Sequence, residues 1–415
     1  MSRNSCLQML AAFLFAVTFA SSTFASVVYV GTCKSGTHFS TIQDAVNHSG
    51  PGGTIDICPG TYPEQVSINI NLTLEGISDG ASSDIIIASP TGGVIQNTTD
   101  LYDGSGVAAQ VLIQGGVRVN LITLVVDGGN NQIAGCGPDL VGIYYQNSSG
   151  TVDGVVTRNQ ALTPDLGGCQ SGLAIYVESG YSSGGTANVT IENSSVHDYQ
   201  KNGITTDGSG TTATITGNYV VGSGPSPVIA QNGIQMSDGA TGSISDNEVV
   251  DDVYSPGTAG ASGILVYDSG SLNIAGNTVS DTQYGIVIYS DGLINSDNNT
   301  VTANHISATH IDDGIDLCSN GNTAKNNIVI ASDGAGIHID STCSEGGNPT
   351  GNNTKVANNS VSEACAGVLT GNGSGNTFTP NLTVNVIDTT YSGDSCPSSG
   401  GGIIHRVKHP PSPHR

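Results

Sequence analysis

The stretch GILVYDSGSLNIAGNTVSDTQYGIVIY, residues 263–289, decides the fold. It opens and closes on one phrase, a glycine followed by an alternating apolar run, with AGNTV around Asn277 between them. Alternation with a period of two marks a β-strand with one buried face. The phrase returns after 22 residues, a unit too short to bury its apolar face alone.

The same phrase recurs in both directions. It stands at Gly142, Gly172, Gly203 and Gly233 before the quoted stretch, and at Gly314, Gly336 and Gly367 after it, in steps of 22 to 31 residues. A second phrase keeps pace around Asn218, Asn247, Asn277, Asn299, Asn327 and Asn359. Coils stacked about 4.8 Å apart bury a continuous column of Ile, Val and Leu, and Asn suits both the bends and bonding from one coil to the next. The pattern predicts an all-β solenoid.

Composition agrees: 58 glycines, no tryptophan and 11% charged residues in 415 fit many short strands joined by turns. Residues 1–25, with Arg3 before an apolar run and small residues around Ala25, read as a secretory signal peptide. A β-helix domain is expected over 26–392 and a flexible Gly-, Ser- and Pro-rich tail over 393–415. No later segment is apolar for long enough to span a bilayer, so a secreted protein is expected.

Beyond Cys6 in the leader, eight cysteines suit an oxidising compartment. Spacing by about one repeat suggests neighbour pairing: Cys33–Cys58, Cys136–Cys169, Cys318–Cys343 and Cys365–Cys396. Zinc lacks its C-x-x-C spacing. The net charge of −24 comes from few bases and excludes nucleic acid as a partner. It also repels acidic polysaccharides, unless calcium bridges them.

The repeat resembles the right-handed parallel β-helix proteins of the pectin-lyase-like superfamily, from about residue 27 to 390. HFSTIQDAVNHSGPGGTIDICPGTYPEQVSI, followed by NLTLEG, is similar to the opening of pectinesterases. It reads as a short N-terminal capping helix: Ser40 and Gln43 form a capping box, and Phe39, Ile42 and Val46 share the face that plugs the core. Ile55, Ile57, Val66, Ile68, Leu72 and Leu74 then start the strand alternation. The catalytic Gln-Asp, Asp-Phe-x-Phe-Gly and Arg-Pro-Trp stretches of pectinesterases are absent, and no cluster of bases matches the lyases of this fold.

Counting from each repeated glycine, positions one and three point into the core and positions two and four outward. The outward columns carry Tyr176, Asp207, Tyr267 and Tyr289, which suit sugar binding, and then Asp316, His338 and Asp340. In DDGIDLC (312–318) and GAGIHID (334–340), the Asp316 and Asp340 backbones are expected about 8 Å apart. That spacing suits an inverting glycosidase pair, which needs about 6.5–9.5 Å between carboxyls, with His338 tuning one acid. Asp312 and Asp313 are similar to the paired aspartates of polygalacturonases, although the histidine stands two positions late and no Arg-x-Lys follows.

The expected function is therefore binding or processing of an extracellular polysaccharide, with inverting hydrolysis at Asp312, Asp313, Asp316, His338 and Asp340 its sharpest form. A non-catalytic, adhesin-like rod and a calcium-dependent lyase are the alternatives. Calcium, held by Asp312, Asp313, Asp316 and Asp340, is the one cofactor this set accommodates.

Overall fold

A computed structural model describes residues 27–77, 85–292 and 294–396; the leader over 1–25 and the tail beyond 396 lie outside the described residues. The chain winds as a right-handed parallel β-helix. Among the described residues its strands form three long sheets of 14, 12 and 13 strands, to which each coil contributes in turn. One coil runs from Asn232–Ser237 in the third sheet through Thr241–Ser245 in the first and Glu248–Tyr254 in the second. It returns to the third sheet at Ser262–Tyr267, where Ile234 pairs with Ile264 and Met236 with Val266.

Positions one and three fill the interior as read from the alternation. Ile204, Ile234, Ile264, Ile286, Ile315 and Ile337 form one continuous buried column, with Met236, Val266, Ile288 and Leu317 beside it. Each contributes roughly 1.5–3 kcal/mol relative to exposure. The repeated glycine is a requirement of close packing. A Cβ on Gly263 would stand 2.4 Å from Val279 Cγ1 and 3.1 Å from the Gly285 carbonyl oxygen, leaving no room for a side chain between sheets and coils.

One register differs from the count. Tyr144 pairs with Tyr176 and Tyr176 with Thr205, so Ala174, not Gly172, holds the zero position in its coil. Tyr176 therefore moves to position two, and Glu178 takes position four.

The asparagine column is a ladder of side-chain amides. Asn218 donates its Nδ2 to Asn247 Oδ1 at 2.9 Å, Asn247 to Asn277 at 2.9 Å, and Asn277 to Asn304 at 2.9 Å. It continues through Asn327 and Asn359 to Asn381. Asn304 occupies the rung assigned to Asn299. Asn299 instead joins a parallel ladder on the other side of its strand, where its Oδ1 accepts from the Leu272 N–H and Asn322 Oδ1 accepts from the Asn299 N–H.

Helix α1 (Ile42–His48) caps the N-terminal end with Ile42, Ala45 and Val46 buried and Phe39 packed against the core. Its N-cap is Thr41, whose hydroxyl accepts from the Asp44 N–H, so the Ser40–Gln43 box lies one residue off. Glu64, from a later coil, accepts the Ile42 and Gln43 N–H groups at 2.8 and 2.9 Å, and Gln43 reaches across to Ser67. A distant carboxylate thus does the work expected of the local box.

All four neighbour disulfides form: Cys33–Cys58, Cys136–Cys169, Cys318–Cys343 and Cys365–Cys396. Residues 393–396, assigned to the tail, belong to the body, because Cys396 is bridged and Asp394 is hydrogen-bonded to Ser341. Among the described residues, no helix is long and apolar enough to cross a membrane.

Candidate active site along the third sheet

The outward columns of the third sheet point away from the core, yet they are largely covered. At position two, Tyr144, Tyr176, Asp316 and His338 are all at or below 2% exposed. Toward the N-terminus, the segment around Thr98–Thr99 folds over the face and buries a second apolar cluster containing Leu112, Tyr144 and Tyr176. Toward the C-terminus, Asp388–Ser392 pairs with Ala366–Thr370 and carries Asp394 across the end. The expectation of solvent-facing columns is corrected accordingly: alternation specifies the side of the sheet, and loops from other coils then close over it.

Of the five residues expected to be catalytic, Asp313, Asp316 and Asp340 gather around the His338 imidazole and Asp312 does not. Asp316 pairs in register with His338. His338 Nδ1 lies 3.3 Å from Asp313, 3.5 Å from Asp316 and 3.6 Å from Asp340, while Nε2 lies 3.5 Å from Asp394. This group is sealed, with His338 at 0% and Asp316 and Asp340 at 1% exposure. Asp316 and Asp340 reach the same ring nitrogen, so the imidazole fills the gap in which an inverting pair holds its water. Asp313 also accepts the Ala335 N–H at 2.6 Å. Asp312 stands apart from the imidazole, accepting from Gln283 at 3.1 Å, and burial with Asp313 beside it pushes its carboxyl up to about 7. Asp313, Asp316 and His338 could geometrically hold a metal ion, as could His338, Asp340 and Asp394.

A second row of acids lies where the third-sheet strands of the middle coils end, with Glu178, Asp207 and Asp268 buried and only Asp238 and Asp291 reaching solvent. Its floor is Glu178, Asp207 and Asp268, and its mouth is Tyr102, Tyr181, Asp238, Tyr289 and Asp291. Glu178 accepts the Leu101 N–H at 2.9 Å, the Tyr102 N–H at 2.9 Å and the Tyr144 hydroxyl. Burial, with Asp100 nearby, nonetheless pushes its carboxyl up to about 8. Tyr176 is a buried organiser with no face for a sugar, its hydroxyl donating to Asp100 at 3.1 Å and Asp207 at 3.3 Å.

Asp207 and Asp238 bring their carboxyls close enough to influence each other's ionisation. Burial raises both, and the Asp207 charge helps push half-buried Asp238 up to about 9. Two carboxyls this close share a proton instead of ionising together. Asp268 and Asp291 repeat the arrangement: the Asp291 N–H donates to Asp268 Oδ1 at 3.1 Å, and burial plus the Asp291 side chain push Asp268 up to about 7. Tyr267 and Tyr289 stack at 5.6 Å, but Tyr267 is buried and donates its hydroxyl to Asp291, leaving half-buried Tyr289 the accessible ring of the two. Exposed Tyr102 meets Tyr181 edge-on at 5.3 Å.

Of the residues in this row, the sequence singles out Asp207, Tyr267 and Tyr289 but not Glu178, Asp238, Asp268 or Asp291. The signal was present as an acid at the end of successive strand phrases: TTDG, MSDG, VYDSG and YSDG. Fixed position counting passes over it, because these acids close the strand and read as turn formers.

A family profile described as the right-handed beta helix region matches residues 116–301. No curated protein matches the chain. Among solved structures, a GH136 lacto-N-biosidase from Eubacterium ramulus is 13% identical with a TM-score of 0.59, covering 87% of this chain and 68% of its own. A DFA-IIIase from Arthrobacter chlorophenolicus A6 is 17% identical, with coverages of 85% and 80% and a TM-score of 0.45. A periplasmic alginate epimerase is 16% identical, with coverages of 85% and 82% and a TM-score of 0.44. At these identities the likeness is one of fold.

Proposed function

We propose that this right-handed parallel β-helix protein is exported and processes an extracellular polysaccharide laid along its third sheet, with glycosidic hydrolysis as the reaction. The feature that supports this reading is buried Asp207 beside half-buried Asp238, where burial and the neighbouring carboxyl push Asp238 up to about 9, with Tyr102, Tyr181 and Tyr289 around them. A proton held on half-buried Asp238 at neutral pH is what a general acid needs to protonate the departing glycosidic oxygen. Asp291, exposed on the next carboxyl pair, takes the proton from the attacking water. Asp207 lowers the energy of the positive charge that develops on the sugar ring, and the tyrosine rings bind sugar faces. Four disulfides and the leader-like first 25 residues support export.

The His338 group enters this reading as the structural closure of the C-terminal end. Calcium and lyase chemistry remain separate outcomes of one experiment. Purified protein is incubated with pectic, alginate and neutral glycans, with and without calcium, and both reducing ends and unsaturated ends are measured. New reducing ends that vanish in Asp238→Asn support hydrolysis. Unsaturated ends that need calcium identify a lyase. No product from any glycan leaves the adhesin-like rod.

A further inference from the structure

Toward the N-terminal end of the third sheet, before the acidic row, lies a depression of different chemistry. It has a volume of 510 Å³ and is walled by Gln114, Gln146, Asn147, Ser149, Ser183 and Thr186, with glycine backbone between them. None of these walls carries a charge. Gln146 pairs in register with Glu178, and the pairing of Ile113 with Tyr145 sets Gln114 one coil below Gln146. Amide, amide and carboxyl thus form one column at steps of about 4.8 Å, over whose Gln146 and Glu178 the Thr98–Tyr102 segment lies. Asn147 Nδ2 donates to Ser183 Oγ at 3.2 Å, which fixes the amide as part of the wall.

Of the bases, Arg118 comes nearest, pairing in register with Ser149 at the edge of the depression without lining it, while Lys325 and Lys355 sit on first-sheet strands farther along and Arg158 on a second-sheet strand pairs with Asp127 at 2.8 Å. Lys201 is buried and donates to the Ala230 carbonyl at 2.8 Å. Among the described residues, no Lys or Arg belongs to the depression or to the acidic row. A uronate carboxylate here would face exposed Asp291 and the Asp207–Asp238 pair with no lining Lys or Arg to balance it. A neutral sugar presents only hydroxyls, which amides and hydroxyls satisfy without paying for a buried charge.

We infer that the substrate is an uncharged glycan, with the bond to be broken at Asp207–Asp238 and neighbouring sugars seated in the Gln114–Ser183 depression. The inference rests on the hydrolase reading above. The two sites are three coil steps apart, about 14 Å, within reach of a short oligosaccharide.

Asp238→Asn protein, which binds without turnover, is titrated calorimetrically with neutral gluco-, manno- and galacto-oligosaccharides, then with oligogalacturonate and oligoguluronate, with and without calcium chloride. Binding of a neutral series with none of the uronates supports the inference. In that background, Gln114→Ala with Ser183→Ala weakens neutral binding about tenfold, as expected for two lost hydrogen bonds. Uronates binding as tightly as neutral sugars, in either condition, overturns the substrate class while leaving the hydrolase reading intact. Neutral binding unchanged in the double variant overturns the subsite. Binding of no glycan, with no cleavage by the parent protein, overturns both.

Discussion

Asp238 and Asp268 occupy the same turn of consecutive coils: the Asp238 N–H donates to the Tyr267 carbonyl at 3.1 Å, and the Asp268 N–H to the Tyr289 carbonyl at 3.1 Å. Stacking therefore repeats one acidic turn about every 4.8 Å and brings two proton-sharing pairs together. A solenoid concentrates like charge wherever a repeat carries an acid, and each added carboxylate makes it harder to ionise the next.

Asp238→Asn keeps the shape of the turn and removes the proton donor. Its kcat on the responding glycan should fall by about 10²–10⁴, the usual contribution of a general acid. Asp316→Asn, in the sealed His338 group, should leave the activity of the folded fraction within about twofold, a ratio dictated by 1% exposure. Steady-state kinetics beside near-ultraviolet circular dichroism decides between the two sites. A larger loss in Asp316→Asn than in Asp238→Asn returns the chemistry to the buried group.

The pH dependence has a definite sign. Burial raises Glu178 to about 8, Asp238 to about 9, Asp268 to about 7, Asp312 to about 7 and Glu345 to about 7. Between about pH 4 and these values the native state binds more protons than the unfolded chain, so stability falls as pH rises through the window. Melting temperature should be higher near pH 5 than at pH 9, and the slope should flatten in Asp238→Asn. A melting temperature that climbs from pH 5 to pH 9 contradicts the proton-sharing pairs.

The coil repeat, the inward positions and all four disulfides were legible because each depends on short-range periodicity or on one repeat length. What the sequence concealed depends on distant chain. Glu64 replaces the local helix cap from a different coil, and the segment carrying Thr98 and Tyr102 covers Tyr144 and Glu178. The slip at Gly172 has a local cause that counting cannot see: glycine marks close packing in most coils, but Ala174 fills that place in one. Asp207 was found because it lies on the strand, whereas Asp238 and Asp268 lie one residue past it.

The amide ladder makes a stability prediction. Asn277 Oδ1 accepts from the backbone and the side chain of Asn247, at 3.0 and 2.9 Å, and its Nδ2 donates to the Ile244 carbonyl at 3.0 Å. Asn277→Leu leaves those buried groups unpaired, at roughly 1–3 kcal/mol each. A loss of about 3 kcal/mol or more is expected in urea denaturation. Asn188→Leu, on an exposed position of its strand, should stay within about 0.5 kcal/mol.

Asp394 provides the opposite pH signature. Against the upward push of burial, hydrogen bonds from His338 and from the Ser341 N–H and hydroxyl hold its carboxyl below the usual value of 3.8. A carboxylate held low contributes stability above its unfolded value, and that contribution is lost as pH falls through the folded one. Asp394→Asn should therefore lower the melting temperature at pH 6 and converge on the parent protein as pH falls through the lowered value of Asp394, below which both side chains are neutral. Because Cys396, bridged to Cys365, holds this segment in place, replacing both cysteines by serine should shrink the Asp394→Asn effect at pH 6. An Asp394→Asn effect that does not shrink as pH falls from 6 toward the acid limit of folding would mean that the residue acts by shape alone, and the electrostatic closure of the His338 group would then be wrong.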